Sequence, residues 1–84
     1  MEMIKKAWPE LFQKVVDGEK NFDLRLDDFD CSVGDVLILK EFDPETKEFT
    51  GREIKKEVKY VLKSSDLKFF SKEDLNKGFQ VLGF

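Results

Sequence analysis

Eight residues carry much of the chemistry available to this chain: Gly18-Glu19-Lys20-Asn21-Phe22-Asp23-Leu24-Arg25. They bring together an ammonium, a carboxylate and one of only two guanidinium groups in a protein with thirteen lysines. A planar guanidinium donates paired hydrogen bonds to a phosphate, a carboxylate or the edge of a base, so sparing use of arginine marks its positions. Lys20, Asp23 and Arg25 are therefore candidate ligand-binding residues. Aspartate and lysine are also able to act as base or nucleophile. The plainer alternative is that Asp23 orients Lys20 or Arg25. An exposed Asp23–Arg25 pair on one strand face would be worth under about 1 kcal/mol. The second arginine, Arg52, is either a further ligand contact or half of an internal salt bridge with Glu41 or Asp23.

The elements that must position these groups can be read from periodicity. Trp8-Pro9-Glu10 reads as a helix start, since proline is preorganised for the first turn and an acid there suits the helix dipole. Trp8, Leu11, Phe12, Val15 and Val16 recur at helical spacing, and Gly18 stands where a left-handed residue ends a helix. From Asn21 the period becomes two, with Phe22, Leu24 and Leu26 on one face and Asn21, Asp23 and Arg25 on the other. Strict alternation sets Lys20 opposite Asp23 and Arg25, so the three meet only if the turn after Gly18 rotates Lys20 around.

Met3–Lys6 is a candidate opening strand, and Lys6 a candidate residue at the cleft mouth. Val36-Leu37-Ile38-Leu39 is apolar on both faces and reads as the most buried strand. It emerges at Lys40-Glu41-Phe42, with Glu41 on the cleft side, and Asp43-Pro44-Glu45-Thr46 has the residues of a type I turn. The return strand, in a hairpin over residues 36 to 62, exposes Glu53, Lys55, Glu57 and Lys59 and turns Ile54, Val58, Tyr60 and Leu62 inward. Arg52 and Lys56 share the inward parity, which calls for a bulge or a polar opening. Trp8 and Tyr60 are able to stack a base, but their periodic positions predict core. A short helix is expected near residues 72–76, and Phe79, Val81 and Leu82 mark a closing strand. Strands with two short helices define an α+β domain over residues 1–84, its sheet closed or nearly closed.

Composition limits the functions. With a net charge of −3, the domain is poorly made for non-specific binding of polyanions, so any such contact must be a local patch. The run Asp27 to Asp30 would also repel a long RNA. No histidine occurs, which removes the usual catalytic triads and makes a zinc site unexpected. The lone Cys31 forms no internal disulfide, and neighbouring carboxylates should raise its pKa. The first residues lack a signal peptide's apolar run, and no stretch approaches the ~20 residues that span a bilayer. The expectation is a cytoplasmic protein without membrane contact or cofactor, monomeric or weakly dimeric.

Gly18-x-Lys20-x-x-Asp23-x-Arg25 resembles the G-x-K-x-x-E-x-R signature of ASCH domains in the PUA-like superfamily. Trp8-Pro9-Glu10-Leu11-Phe12, Val33-Gly34-Asp35-Val36-Leu37, Phe49-Thr50-Gly51-Arg52 and the terminal Gly78-Phe79-Gln80-Val81-Leu82-Gly83-Phe84 resemble a closer subgroup, the small DUF3850 domains. The resemblance implies a PUA-like β-barrel of five or six mostly antiparallel strands with a helix across one end. It also implies a cleft beside the signature that takes RNA or modified nucleosides. Two features depart from the pattern: Asp23 stands for the usual glutamate, and the first strand has Met3 or a near neighbour where the subgroup tends to carry a histidine. Some ASCH proteins resemble N4-acetylcytidine amidohydrolases, which pair the signature lysine with a threonine at the position of Asp23. The reading that results is an RNA- or nucleotide-binding module using Lys6, Lys20, Asp23, Arg25, Glu41 and Arg52. The alternatives are a small amidohydrolase with Lys20 and Asp23 in the chemistry, and a protein-interaction domain.

Overall fold

A computed structural model of the chain describes residues 1–67 and 78–84. The first strand, β1 (Glu2–Ala7), leads into helix α1 (Pro9–Val16), which starts on Pro9 and buries Phe12 and Val15. Gly18, at φ 77°, ends the helix in a left-handed turn. Its amide bonds to the Val15 carbonyl, while the amides of Glu19 and Lys20 both turn back to the Lys14 carbonyl. This Schellman closure satisfies carbonyls that the helix end would otherwise leave unpaired.

Five further strands follow: β2 (Phe22–Leu26), β3 (Val36–Asp43), β4 (Glu48–Glu57), β5 (Tyr60–Lys63) and β6 (Phe79–Gly83). They form two three-stranded sheets, ordered β1-β3-β4 and β2-β6-β5. All neighbours are antiparallel except β1 and β3, which run parallel. The α+β class is as expected. Among the described residues no backbone ladder joins one sheet to the other. The helix expected near residues 72–76 lies outside the described residues.

β3 is the middle strand of its sheet, and its Val36-Leu37-Ile38-Leu39 segment is apolar on both faces. Leu37 and Leu39 enter the core beneath Phe12 and Val15, and Ile38 is buried on the opposite face. The β3–β4 hairpin turns through Asp43, whose Oδ1 accepts the Glu45 amide, and Lys47 takes the left-handed position at φ 59°. The ladder slips where Lys40 faces Glu53 but Phe42 faces Phe49. Glu41 is thereby opposed by Thr50, Gly51 and Arg52, and the expected bulge lies there.

Three faces differ from simple periodicity. In β2 the polar set points inward: Asp23 is 5% exposed, while Phe22, Leu24 and Leu26 lie on the surface. Their register across β6 and β5 gives that sheet an outward face carrying Phe22, Leu24, Leu26 and Tyr60. Trp8 and Tyr60, expected in the core, are 56% and 55% exposed. Trp8 caps the helix in an extended conformation, so the helical repeat does not govern its direction. Tyr60 follows an irregularity at Val58-Lys59, where the chain leaves β3 to join β6. Val58 is core and Val61 packs against it, so parity shifts before Tyr60.

Cys31 is a buried core residue, and burial is the main cause that pushes its thiol pKa up, ahead of the carboxylate of Asp35. Lys63 pulls in the other direction. Asp35 is held below the ordinary carboxylate range, chiefly because its Oδ2 accepts the Ser32 amide at 2.9 Å. No helix among the described residues is long and apolar enough to cross a membrane.

Candidate functional site

The turn after Gly18 does rotate Lys20 around. Strand β2 begins only at Phe22, so Lys20 precedes the alternation and its ammonium reaches Asp23 Oδ1 at 3.3 Å. Arg25, two residues along the same inward face, donates Nε to Asp23 Oδ2. One buried carboxylate thus lies between two cations, each oxygen engaged by a different partner. The pairs are shielded: the side chains of Lys20 and Arg25 are 17% and 25% exposed. Removing one member of such a pair strands a charge in poor solvent, which costs more than losing a surface ion pair.

Arg25 has a second task. Its Nη2 donates to the Lys6 carbonyl at 2.7 Å, linking edge strand β2 to edge strand β1 of the other sheet. The two edges otherwise stand apart, and a cleft of about 370 Å³ opens between them. It is lined by Lys6, Ala7, Trp8, Leu11, Lys20, Asp23, Leu24 and Arg25. Trp8, Leu11 and Leu24 give it exposed apolar walls beside the charged cluster. Sequence reasoning considered Trp8 for base stacking but assigned it to the core by its period, placed Leu11 on the helix's apolar face, and gave Leu24 no role at the site. The signal was Pro9, which places Trp8 at the cap rather than on the helix face. Lys6 is among the residues that line the cleft. It contributes its carbonyl there, and its ammonium rests over the Phe42 ring, 4.3 Å from the centroid.

Arg52 and Glu41 are not among the residues of that cleft. Glu41 is 5% exposed, accepts a hydrogen bond from Thr50 Oγ1 at 2.6 Å and faces Arg52 Nη1 at 3.8 Å. Arg52 also donates to Gln13 Oε1 at 3.2 Å and packs over the Phe12 ring. Arg52 lines a different hollow, of about 230 Å³, with Lys40, Phe49, Gly51 and Glu53. The six residues read from the sequence therefore divide into Lys6, Lys20, Asp23 and Arg25 on one side and Glu41 and Arg52 on the other. The bulge explains the split: three residues of β4 against one of β3 carry Arg52 toward the helix and Glu41. Among the described residues no group of three or more acidic or cysteine side chains is placed to hold a metal ion.

The class defined by these features is a small α+β domain whose two sheets present an open, arginine-bridged seam. The model of the family described as "Domain of unknown function (DUF3850)" matches residues 4–84, and the chain belongs to that family. No curated protein matches it.

Proposed function

We infer that this domain binds a nucleotide-sized group or a short RNA element in the cleft between β1 and β2. The observation that carries the reading is the meeting of Lys20, Asp23 and Arg25 beside exposed Trp8. Two cations sharing one carboxylate leave a formal surplus of one positive charge, which suits a phosphodiester. The guanidinium is already oriented by Asp23 and Lys6, so little rotamer freedom is lost on binding. Trp8 offers a stacking surface, a contact worth about 1–3 kcal/mol per base where measured in other proteins. Arg52 and Glu41 act in the fold rather than on the ligand.

The same features support a PUA-like pseudo-barrel. β4 and β5 are one bent run shared by both sheets, and Arg25 spans the opposite opening. Titrating wild type, Arg25→Ala and Arg25→Lys with RNA and nucleoside mixtures at low salt tests the function. Loss of binding in both variants, with fold retained, supports it; equal or absent binding in all three proteins overturns it.

An amidohydrolase acting on a nucleoside such as N4-acetylcytidine is less well supported. Both oxygens of Asp23 are committed to cations, which leaves it poorly placed as a base. Cytidine release above a Lys20→Ala control would restore that reading. Protein interaction has one observation of its own, the outward apolar face with Phe22, Leu24, Leu26 and Tyr60. Light scattering tests its simplest form, self-association: a mass that rises with concentration and falls in Leu26→Lys favours it, and a constant monomer mass removes it.

A further inference from the structure

The cleft beside Trp8 occupies only half of the seam. Beyond Arg25 lies a second cavity, of about 350 Å³, lined by Lys5, Leu24, Arg25, Leu26, Asp28 and Phe29. Leu24 and Arg25 belong to both cavities. The order of the lining residues shows how the strands cross: Ala7 and Trp8 accompany Asp23 on one side, and Lys5 accompanies Leu26 on the other. β1 and β2 therefore run in opposite senses along the seam, with the Arg25–Lys6 bridge at the midpoint. The bridge excludes an inserted peptide strand, which would need main-chain hydrogen bonds on both sides through the place the guanidinium occupies.

The two halves offer different groups. On the first side stand Trp8 and the Lys20–Asp23 pair. On the second, Lys5 Nζ lies over the Phe29 ring, 3.7 Å from its centroid, holding a cation and an aromatic together. Asp28 is exposed there and takes no hydrogen bond or ion pair among the described residues, whereas neighbouring Asp27 faces Lys63 at 3.7 Å. An ionised carboxylate accepts hydrogen bonds and donates none, so it favours a base with an exocyclic amino group over one that presents a carbonyl. At the midpoint, Arg25 Nε and Nη2 are engaged, while Nη1 carries no hydrogen bond among the described residues.

We propose that the seam holds two consecutive nucleotides of a single strand. Their shared phosphodiester sits on Arg25, one base lies against Trp8, and the other meets Asp28 in the Lys5–Phe29 cavity. This rests on the nucleotide reading above and adds the length and base preference of the ligand. The acidic run that includes Asp28 limits the strand to a short one, because further phosphates would approach like charges.

Trp8 is the single tryptophan, so its fluorescence reports occupancy of the first half directly. The intact protein is titrated at low salt with cytidine monophosphate, uridine monophosphate, and the dinucleoside monophosphates CpC and UpU, in ribo and deoxyribo forms. The expected result is that CpC binds at least about tenfold more tightly than either mononucleotide, from contacts on both sides of Arg25. CpC should exceed UpU by about fivefold, and Asp28→Asn should erase that preference. Equal affinity for mononucleotides and dinucleotides overturns the two-subsite inference and leaves the nucleotide reading standing. A CpC preference retained in Asp28→Asn overturns the role of Asp28. No response to any nucleotide, by fluorescence or calorimetry, overturns both.

Discussion

The Arg25 guanidinium donates to the main-chain carbonyl of Lys6 across 2.7 Å, joining two sheets where no backbone ladder does among the described residues. The same side chain neutralises Asp23, buried on the inward face of its own strand. One residue thus spans the seam and lines the cleft, so the proposed binding would be coupled to stability at Arg25.

That coupling has a measurable size. Asp23→Ala should destabilise the domain by about 2–4 kcal/mol in urea unfolding, because it leaves both shielded cations without their carboxylate, and Arg25→Ala should cost less, because Asp23 keeps Lys20 as a partner. The double-mutant cycle should give a coupling energy above the ~1 kcal/mol expected of an exposed pair. A value near zero would mean that solvent screens the pair.

Arg52→Ala should separate the two polar clusters. Glu41 would keep only Thr50 as a hydrogen-bonding partner, and unfolding should show a loss of about 1–3 kcal/mol. Nucleotide affinity measured by Trp8 fluorescence should stay within about twofold of wild type, since Arg52 does not line the seam.

Gly18→Ala should cost about 1 kcal/mol through backbone strain alone, because φ is 77° and a Cβ there meets nothing within 4 Å. Gly18→Asn should cost less, since asparagine tolerates the left-handed region better. Urea unfolding of the two variants checks the order.

Asp35 sets an acid limit to stability. Its folded pKa lies below the unfolded value of about 3.9, so its contribution is complete above that pH and disappears as pH falls through the folded value. Asp35→Asn should remove this part of the acid dependence while leaving the slope between pH 6 and 8 unchanged. Urea midpoints measured from pH 2 to 8 on both proteins make the comparison.

Cys31 should react slowly. Burial raises its thiol pKa and blocks access, so labelling by a disulfide reagent at pH 8 should be at least about tenfold slower than for free cysteine. Denaturant should restore the ordinary rate.

The helix, the buried strand and the hairpin turn were legible because each has an unambiguous period or turn residue, as at Pro9, Val36-Leu37-Ile38-Leu39 and Asp43-Pro44. The hairpin, however, ends at Glu57 and not at residue 62, since Tyr60–Lys63 joins the other sheet. The alternation of β2 was legible too, but not which of its faces looks inward. Period alone carries no sign when the polar set neutralises itself, as Lys20, Asp23 and Arg25 do. Glu41 and Arg52 were correctly linked to each other as one possibility, yet their distance from the seam depends on a bulge that sequence parity located only loosely. Tyr60 was misread because the chain changes sheets two residues earlier, and alternation does not continue across such a bend. The bridge to Lys6 was invisible, since it uses a main-chain carbonyl that every residue possesses.

The second sheet has a consequence for synthesis. Among the described residues its middle strand, β6, is the last of the six in chain order, and both β2 and β5 pair with it alone. Until residues 79–83 leave the ribosome, neither flanking strand has its β6 partner, and Asp23 and Arg25 wait without that ladder. A chain stopped before Phe79 forfeits both ladders at once. Folding of this half must therefore follow the emergence of β6, and pairing across some fifty intervening residues should make it slow for so small a domain.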